Sequence, residues 1–272
     1  MEESGVRKAL ELQFREFACS FATPGEEPPR PNVLKQEHTF DVCSLMDRIV
    51  RGEPGFAPEH YFTAFLCALF HDVSRFEQYR DFRTFRDDKS FDHGKRSAEI
   101  FLRNFSIPGL SETDRQCVAV AVELHNKPKL PASLSPDILP FARAVRDADK
   151  LSIMKLLNRH FKRPLFSQEE AVNLGMPDTP EFSEELVLTA LRGEPVKHSM
   201  MKNVNDFKIS VFGWTSDVNF SVSAQFLLEG NFYGELRSFL PESALLDELH
   251  EVCVNRLRSL AEGREVPESC RS

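Results

Sequence analysis

The chain has 272 residues with 34 basic against 42 acidic side chains and a formal net charge of -8, which is enough length for a substantial core and reads as one large domain with appendages. That acidic balance excludes a general binder of nucleic-acid polymers, which would have to neutralise many phosphates, while leaving room for a small anion held by a local basic cluster. The six cysteines, Cys19, Cys43, Cys67, Cys117, Cys253 and Cys270, are scattered without a Cys-x-x-Cys pair, so neither a zinc ribbon nor a disulfide framework is expected, and a reducing cytoplasmic location fits.

The opening "MEESGVRKALELQFREF" carries acids where a targeting segment needs a basic flank, and predicts an ordinary amphipathic helix. "TPGEEPPRPN", residues 23–32, has four prolines and no periodicity, so residues 1–32 are expected to be a helix followed by an irregular linker. From His38 the positions Val42, Leu45, Met46 and Ile49 follow helical spacing until "GEPG" interrupts it. Residues 59–73 are apolar nearly all round, the pattern of a helix buried in the middle of a domain, and the run from Tyr61 to Phe70 is about half of the ~20 residues needed to span a bilayer. No membrane segment is expected.

"RFEQYRDFRTFRDDKSFD", residues 75–92, mixes aromatics and charges without a clean period and predicts a long loop or short helical turns. Asp92 is placed to cap a helix over 93–104, and Ser111 with Asp114 resembles a capping box opening a helix over 112–125. A proline-rich loop over 126–136 leads into a helix from Pro136-Asp137 to about residue 159. Beyond Pro164 the expectation is a loop, a helix over 181–192, a polar segment containing Trp214 and a closing helix over 242–261. With almost no strand signal the fold class is all-α: a metal-binding core over 33–162, a helical extension over 163–262 packed on it, and a disordered tail over 263–272.

His71 and Asp72 end the most apolar segment, which admits two readings: polar residues reaching water at a helix end, or a metal site. His38, His93 and His125 also stand at ends of predicted helices, and Val118, Ala121, Val122 and His125 share one apolar face. In "RAVRDADKLSIM", Asp149 falls on the stripe of Ile138, Phe141, Ala142, Val145, Ile153 and Leu156, while Asp147 falls opposite. A carboxylate on an apolar stripe must be paired or bind a cation. Asp149 is thus the inward acid, and Asp147 a supporting acid or a surface partner of Arg143 or Arg146.

Imidazole with carboxylate suits manganese, iron or zinc, with magnesium, cobalt and nickel also admissible. His38, His71, Asp72 and Asp149 offer one site, His93 and His125 offer donors for a second ion, and Asp72, with two oxygens, is the natural bridge. The centre would therefore hold one or two divalent ions.

An isolated His, a vicinal His-Asp and a later Asp on helices resemble the HD-domain superfamily of metal-dependent phosphohydrolases over roughly residues 33–160. The resemblance implies His38, His71, Asp72 and Asp149 as metal ligands. "HDVSRFEQYRDFRTFRDDKSFDH", "ELHN" and "RDADKLSIM" are similar to a bacterial branch that also keeps the two middle histidines, here His93 and His125. "ADKL" parallels the "ADRL" of the guanosine-tetraphosphate hydrolases. This chain departs from the branch it resembles with Ser74 where Gly is usual and Ser152 where Asp is frequent.

The resemblance implies hydrolysis of a phosphoester or phosphoanhydride in a small phosphorylated substrate, nucleotide-like in character, with Asp72, Arg75 and Lys95 as catalytic candidates. Lys127, Arg146 and Lys150 are further cationic candidates, and Phe76, Tyr79, Phe82 and Phe85 either line the core or wall a base pocket. No "GYP" motif follows the His-Asp pair, which disfavours cyclic dinucleotides. A diiron oxygenase on the same ligands and a non-catalytic metal- or ligand-binding protein are the rival readings, and a homodimer is admissible.

Overall fold

The structure, a computed structural model, describes residues 3–22, 25, 27–162 and 176–264. Its described residues form helices and no strands, as the periodicity predicts. The chain divides into two compact units, Met1–Asp149 and Lys150–Ser272. That division lies earlier than the boundary expected after residue 162. The loop expected beyond Pro164, as far as residue 175, and the expected tail from residue 265 lie outside the described residues.

In the first unit, α1 (Glu3–Cys19) and α2 (Arg30–Gly52) precede α3 (Tyr61–Phe70). Every α3 residue from Thr63 to Phe70 is buried. Burying each Leu or Phe contributes about 1.5–3 kcal/mol, so this helix anchors the unit. It packs against α2 on one side and α6 (Glu112–Leu124) on another, with α5 (His93–Asn104) laid along α6. Arg7 of α1 donates to the Asp47 carboxylate of α2 at 3.0 Å and to the carbonyl of Tyr61 at 3.1 Å. The expected linker over 23–32 is shorter than its prolines suggested. α2 starts at Arg30, because Pro31 falls in the first turn, where the N–H it lacks has no intrahelical partner.

Residues 75–92 take the second of the two forms expected, short helical segments. Arg75–Phe82 form α4, a turn over Asp87–Lys89 follows, and the left-handed Arg83 (φ 55°) ends the helix. Both predicted caps are present: Asp92 accepts from the Lys95 N–H at 3.2 Å and Ser111 from the Asp114 N–H at 3.0 Å. The last helix with residues in this unit, α7 (Leu139–Phe161), is buried on all sides between Ala144 and Ala148. Asp147 is only 1 % exposed, which removes the surface reading of this residue and leaves that of a supporting acid. A helical wheel supposes one side in water, and this stretch has none.

The second unit contains the remainder of α7, then α8 (Glu184–Leu191), α9 (Val204–Gly213), α10 (Ser221–Glu229), α11 (Phe232–Ser238) and α12 (Ala244–Ala261). The segment read as polar is helical, and α9 is buried at every residue. Its polar side chains bond internally: Asp206 accepts from the Ser183 N–H and hydroxyl and from the Lys202 N–H. Leu246, Leu249, Cys253 and Leu257 give α12 its inward face. The five described cysteines are free thiols, and no described helix is long and apolar enough to cross a membrane.

Candidate metal centre

The six predicted ligands converge inside the first unit. His38 comes from α2, His71 and Asp72 from the turn ending α3, His93 from the start of α5, His125 from the end of α6 and Asp149 from α7. They form two clusters, His38/His71/Asp149 and Asp72/His93/His125, with candidate ligand atoms within 4.8 Å of one another in each. Asp72 faces both. Its Oδ2 lies 3.6 Å from His71 Nε2 and 3.8 Å from His38 Nε2, while Oδ1 lies 3.5 Å from His93 Nε2 and 3.8 Å from His125 Nε2. Asp149 Oδ1 is 3.0 Å from His38 Nε2.

The donor set fits divalent ions. His71 Nδ1 is 2.7 Å from the Ala68 carbonyl and His125 Nδ1 is 2.7 Å from the Val122 carbonyl. These carbonyls only accept, so each Nδ1 carries its proton and each Nε2 turns a lone pair inward. Nitrogens on a shared ion, with bonds of about 2.0–2.1 Å, stand about 2.8–3.4 Å apart. His38 and His71 Nε2 are 3.3 Å apart and His93 and His125 Nε2 3.1 Å, a spacing that two ligands of one ion adopt in each case.

The local fields keep the ligands in the required forms. Burial lowers His71 and takes His125 down to about 3, so both imidazoles are neutral. Burial would raise the Asp72 carboxyl, but Lys35 and then Arg75, with His71 and His93, hold it well below the usual range. Burial likewise opposes ionisation of Asp149, and the hydrogen bond with His38 outweighs it, holding the carboxyl below its usual range.

Several supporting residues were not singled out from the sequence. Lys35 donates to Asp72 Oδ2 at 2.8 Å; its position one turn before His38 was the available signal. Asp87 receives His93 Nδ1–H at 2.6 Å together with donors from Arg75, Gln78 and Asn126, which fixes the His93 ring. Ser74, marked in the sequence only as a departure from glycine, is wholly buried, donates to the His93 carbonyl at 2.9 Å and exchanges hydrogen bonds with the Ser97 hydroxyl. Gly94 permits the close approach of α5 to α6: a Cβ there would lie 2.7 Å from the Glu123 carbonyl oxygen and 2.6 Å from Asn126 Oδ1.

Among the cationic candidates, Arg75 reaches the centre, with Nε 3.2 Å from Asp72 Oδ1 and Nη2 3.1 Å from His93 Nε2. Lys95 is exposed, and among the described residues no hydrogen bond or ion pair joins its side chain to the clusters. Lys127 pairs with Asp92 and Lys150 with Asp217. Arg146 is buried rather than solvated: it donates to the carbonyls of Leu124, His125 and Lys127, holding the end of α6 where His125 projects. The aromatic group divides, since Phe76 is core, Phe82 is exposed, and Tyr79 packs on Phe85 with ring centroids 5.4 Å apart.

The HD-domain family model matches residues 36–154, a stretch that contains all six clustered residues. The chain matches no curated protein and no solved structure. Over residues 36–154 the chain is therefore similar to the HD domain, an all-α family.

Proposed function

We propose that the centre hydrolyses a phosphoester or phosphoanhydride of a small, nucleotide-like molecule. One observation carries this reading: the two oxygens of Asp72 face two separate imidazole pairs, the disposition of a carboxylate shared by two ions. Divalent ions bound there would polarise phosphate oxygens and supply a hydroxide-like nucleophile near neutral pH. The protein's own groups prepare the site for an anion. Lys35 and Arg75 place cationic donors at opposite oxygens of Asp72, where a phosphate group entering the centre would meet them. Both cations lie against Phe85, with Lys35 Nζ 5.2 Å and Arg75 Cζ 5.7 Å from its ring centroid. That ring, backed by Tyr79, offers a flat apolar face beside the anion position, which suits a nucleobase. Lys95, exposed at the first turn of α5, belongs to the proposal as an outer anion contact.

Metal analysis followed by a phosphate-release screen over nucleotides and other small phosphoesters, with manganese, zinc or iron, tests this reading. The expected result is about two ions per chain and turnover that Asp72→Ala abolishes. Phosphate release that is absent with every metal, or oxygen consumption with iron in its place, would overturn it.

A further inference from the structure

We propose that Arg75 guards the second ion position: its guanidinium and an ion at Asp72/His93/His125 compete for the same lone pair, so the two clusters bind unequally. This rests on reading the centre as a two-ion site. His93 Nδ1 lies 2.6 Å from Asp87 Oδ2, an oxygen that only accepts, so Nδ1 carries the proton and Nε2 has the lone pair. An imidazole nitrogen has one lone pair. Arg75 Nη2, at 3.1 Å, claims it. The same guanidinium puts Nε on Asp72 Oδ1 at 3.2 Å, so it engages two of the three residues of that cluster.

Arg75 is held there firmly. Its Nη1 lies 2.6 Å from Gln78 Oε1, 2.7 Å from the Phe85 carbonyl and 3.1 Å from Asp87 Oδ1, and the side chain is 11 % exposed. Lys35 exerts no equal block on the other cluster through Asp72 Oδ2, because a carboxylate oxygen has a second lone pair to share. His38 Nε2 and Asp149 Oδ1, 3.0 Å apart, are both ligands of that cluster, so an ion there displaces only the proton they share, whereas at Asp72/His93/His125 it must displace a guanidinium that keeps its protons. The His38/His71/Asp149 cluster therefore fills first. An ion reaches His93 only when Nη2 turns away, and the released N–H then faces the centre, ready for a phosphate oxygen. Second-ion binding and anion recognition are thereby coupled through one side chain.

Zinc titration of the full chain, followed by calorimetry and by nitrogen NMR of the histidine and arginine side chains, tests this. The first equivalent should move the His71 signals and leave Arg75 in place; the second should move His93 and Arg75 together. In Arg75→Met, the second ion should bind about ten- to hundredfold more tightly, the worth of one charge-assisted hydrogen bond, with the first affinity unchanged. Arg75 signals that stay still while His93 responds would overturn the guard alone, and this readout needs no variant to fold. Weaker second binding in a folded Arg75→Met would overturn it too, by showing that the guanidinium supports the cluster. Zinc that moves neither His71 nor His93 would remove the metal centre itself, and this proposal with it.

Discussion

Gly94→Ala sets two expectations of opposite sign against each other. Alanine in place of glycine in an exposed helix interior gains up to about 1 kcal/mol, so helix propensity predicts a more stable protein. The structure predicts the reverse. The new Cβ would stand 2.7 Å from the Glu123 carbonyl oxygen, whereas a carbon-to-oxygen contact ordinarily needs about 3.3–3.6 Å. Asn126 Oδ1, at 2.6 Å, can swing aside, but a backbone carbonyl within α6 cannot. The start of α5 must then move away from α6 by about 0.6 Å or more, an overpacking cost of about 1–3 kcal/mol that cancels or exceeds the propensity gain. Because His93 precedes Gly94 and His125 follows the Glu123 turn, that displacement widens a 3.1 Å nitrogen pair toward about 3.7 Å, beyond the span two ligands of one ion tolerate. Urea unfolding should show stability unchanged or reduced, and elemental analysis should show the second ion lost with the first retained. A variant that is more stable and still binds both ions would refute the reasoning.

Chelation of the metal should lower the unfolding midpoint in scanning calorimetry, since an ion at a hundredfold excess over its Kd stabilises by about 2.7 kcal/mol, or about 5–10 °C in a protein of this size. Asp72→Ala should abolish both ion positions, whereas Asp147→Ala should cost about 1–3 kcal/mol in urea unfolding, as expected for a buried polar side chain, while leaving the ion count intact. Arg146→Met removes the donor to the carbonyls of Leu124, His125 and Lys127; it should destabilise by a similar amount, about 1–3 kcal/mol, and weaken the second ion more than the first in calorimetric titration.

The ligands were legible because their chemistry forces the question: an imidazole or carboxylate on an apolar face has to be explained, and His125 and Asp149 both announced themselves that way. The vicinal His71 and Asp72 at the end of a wholly apolar helix did so more plainly still. What periodicity could not supply was the supporting shell. Asp87 and Asn126 are ordinary loop residues in the sequence, and their meeting at His93 depends on how α4 to α6 pack. The surface reading of Asp147 and the polar reading of α9 fail for a common cause. Both lie in helices buried on several sides, where polar residues are paired inside the protein instead of marking a wet face.

Ser74 has a mechanical consequence. Its hydroxyl ties the turn that carries His71 and Asp72 to the backbone of His93, and Ser97 doubles the tie, so a latch of two hydroxyls joins the supports of both clusters. Glycine at this position would keep the N–H bond to Ser97 and lose both bonds of the hydroxyl, loosening the turn from the start of α5. With the latch closed, fluctuations that open one cluster strain the other, and the amide protons of the two segments should exchange with solvent as one cooperative unit.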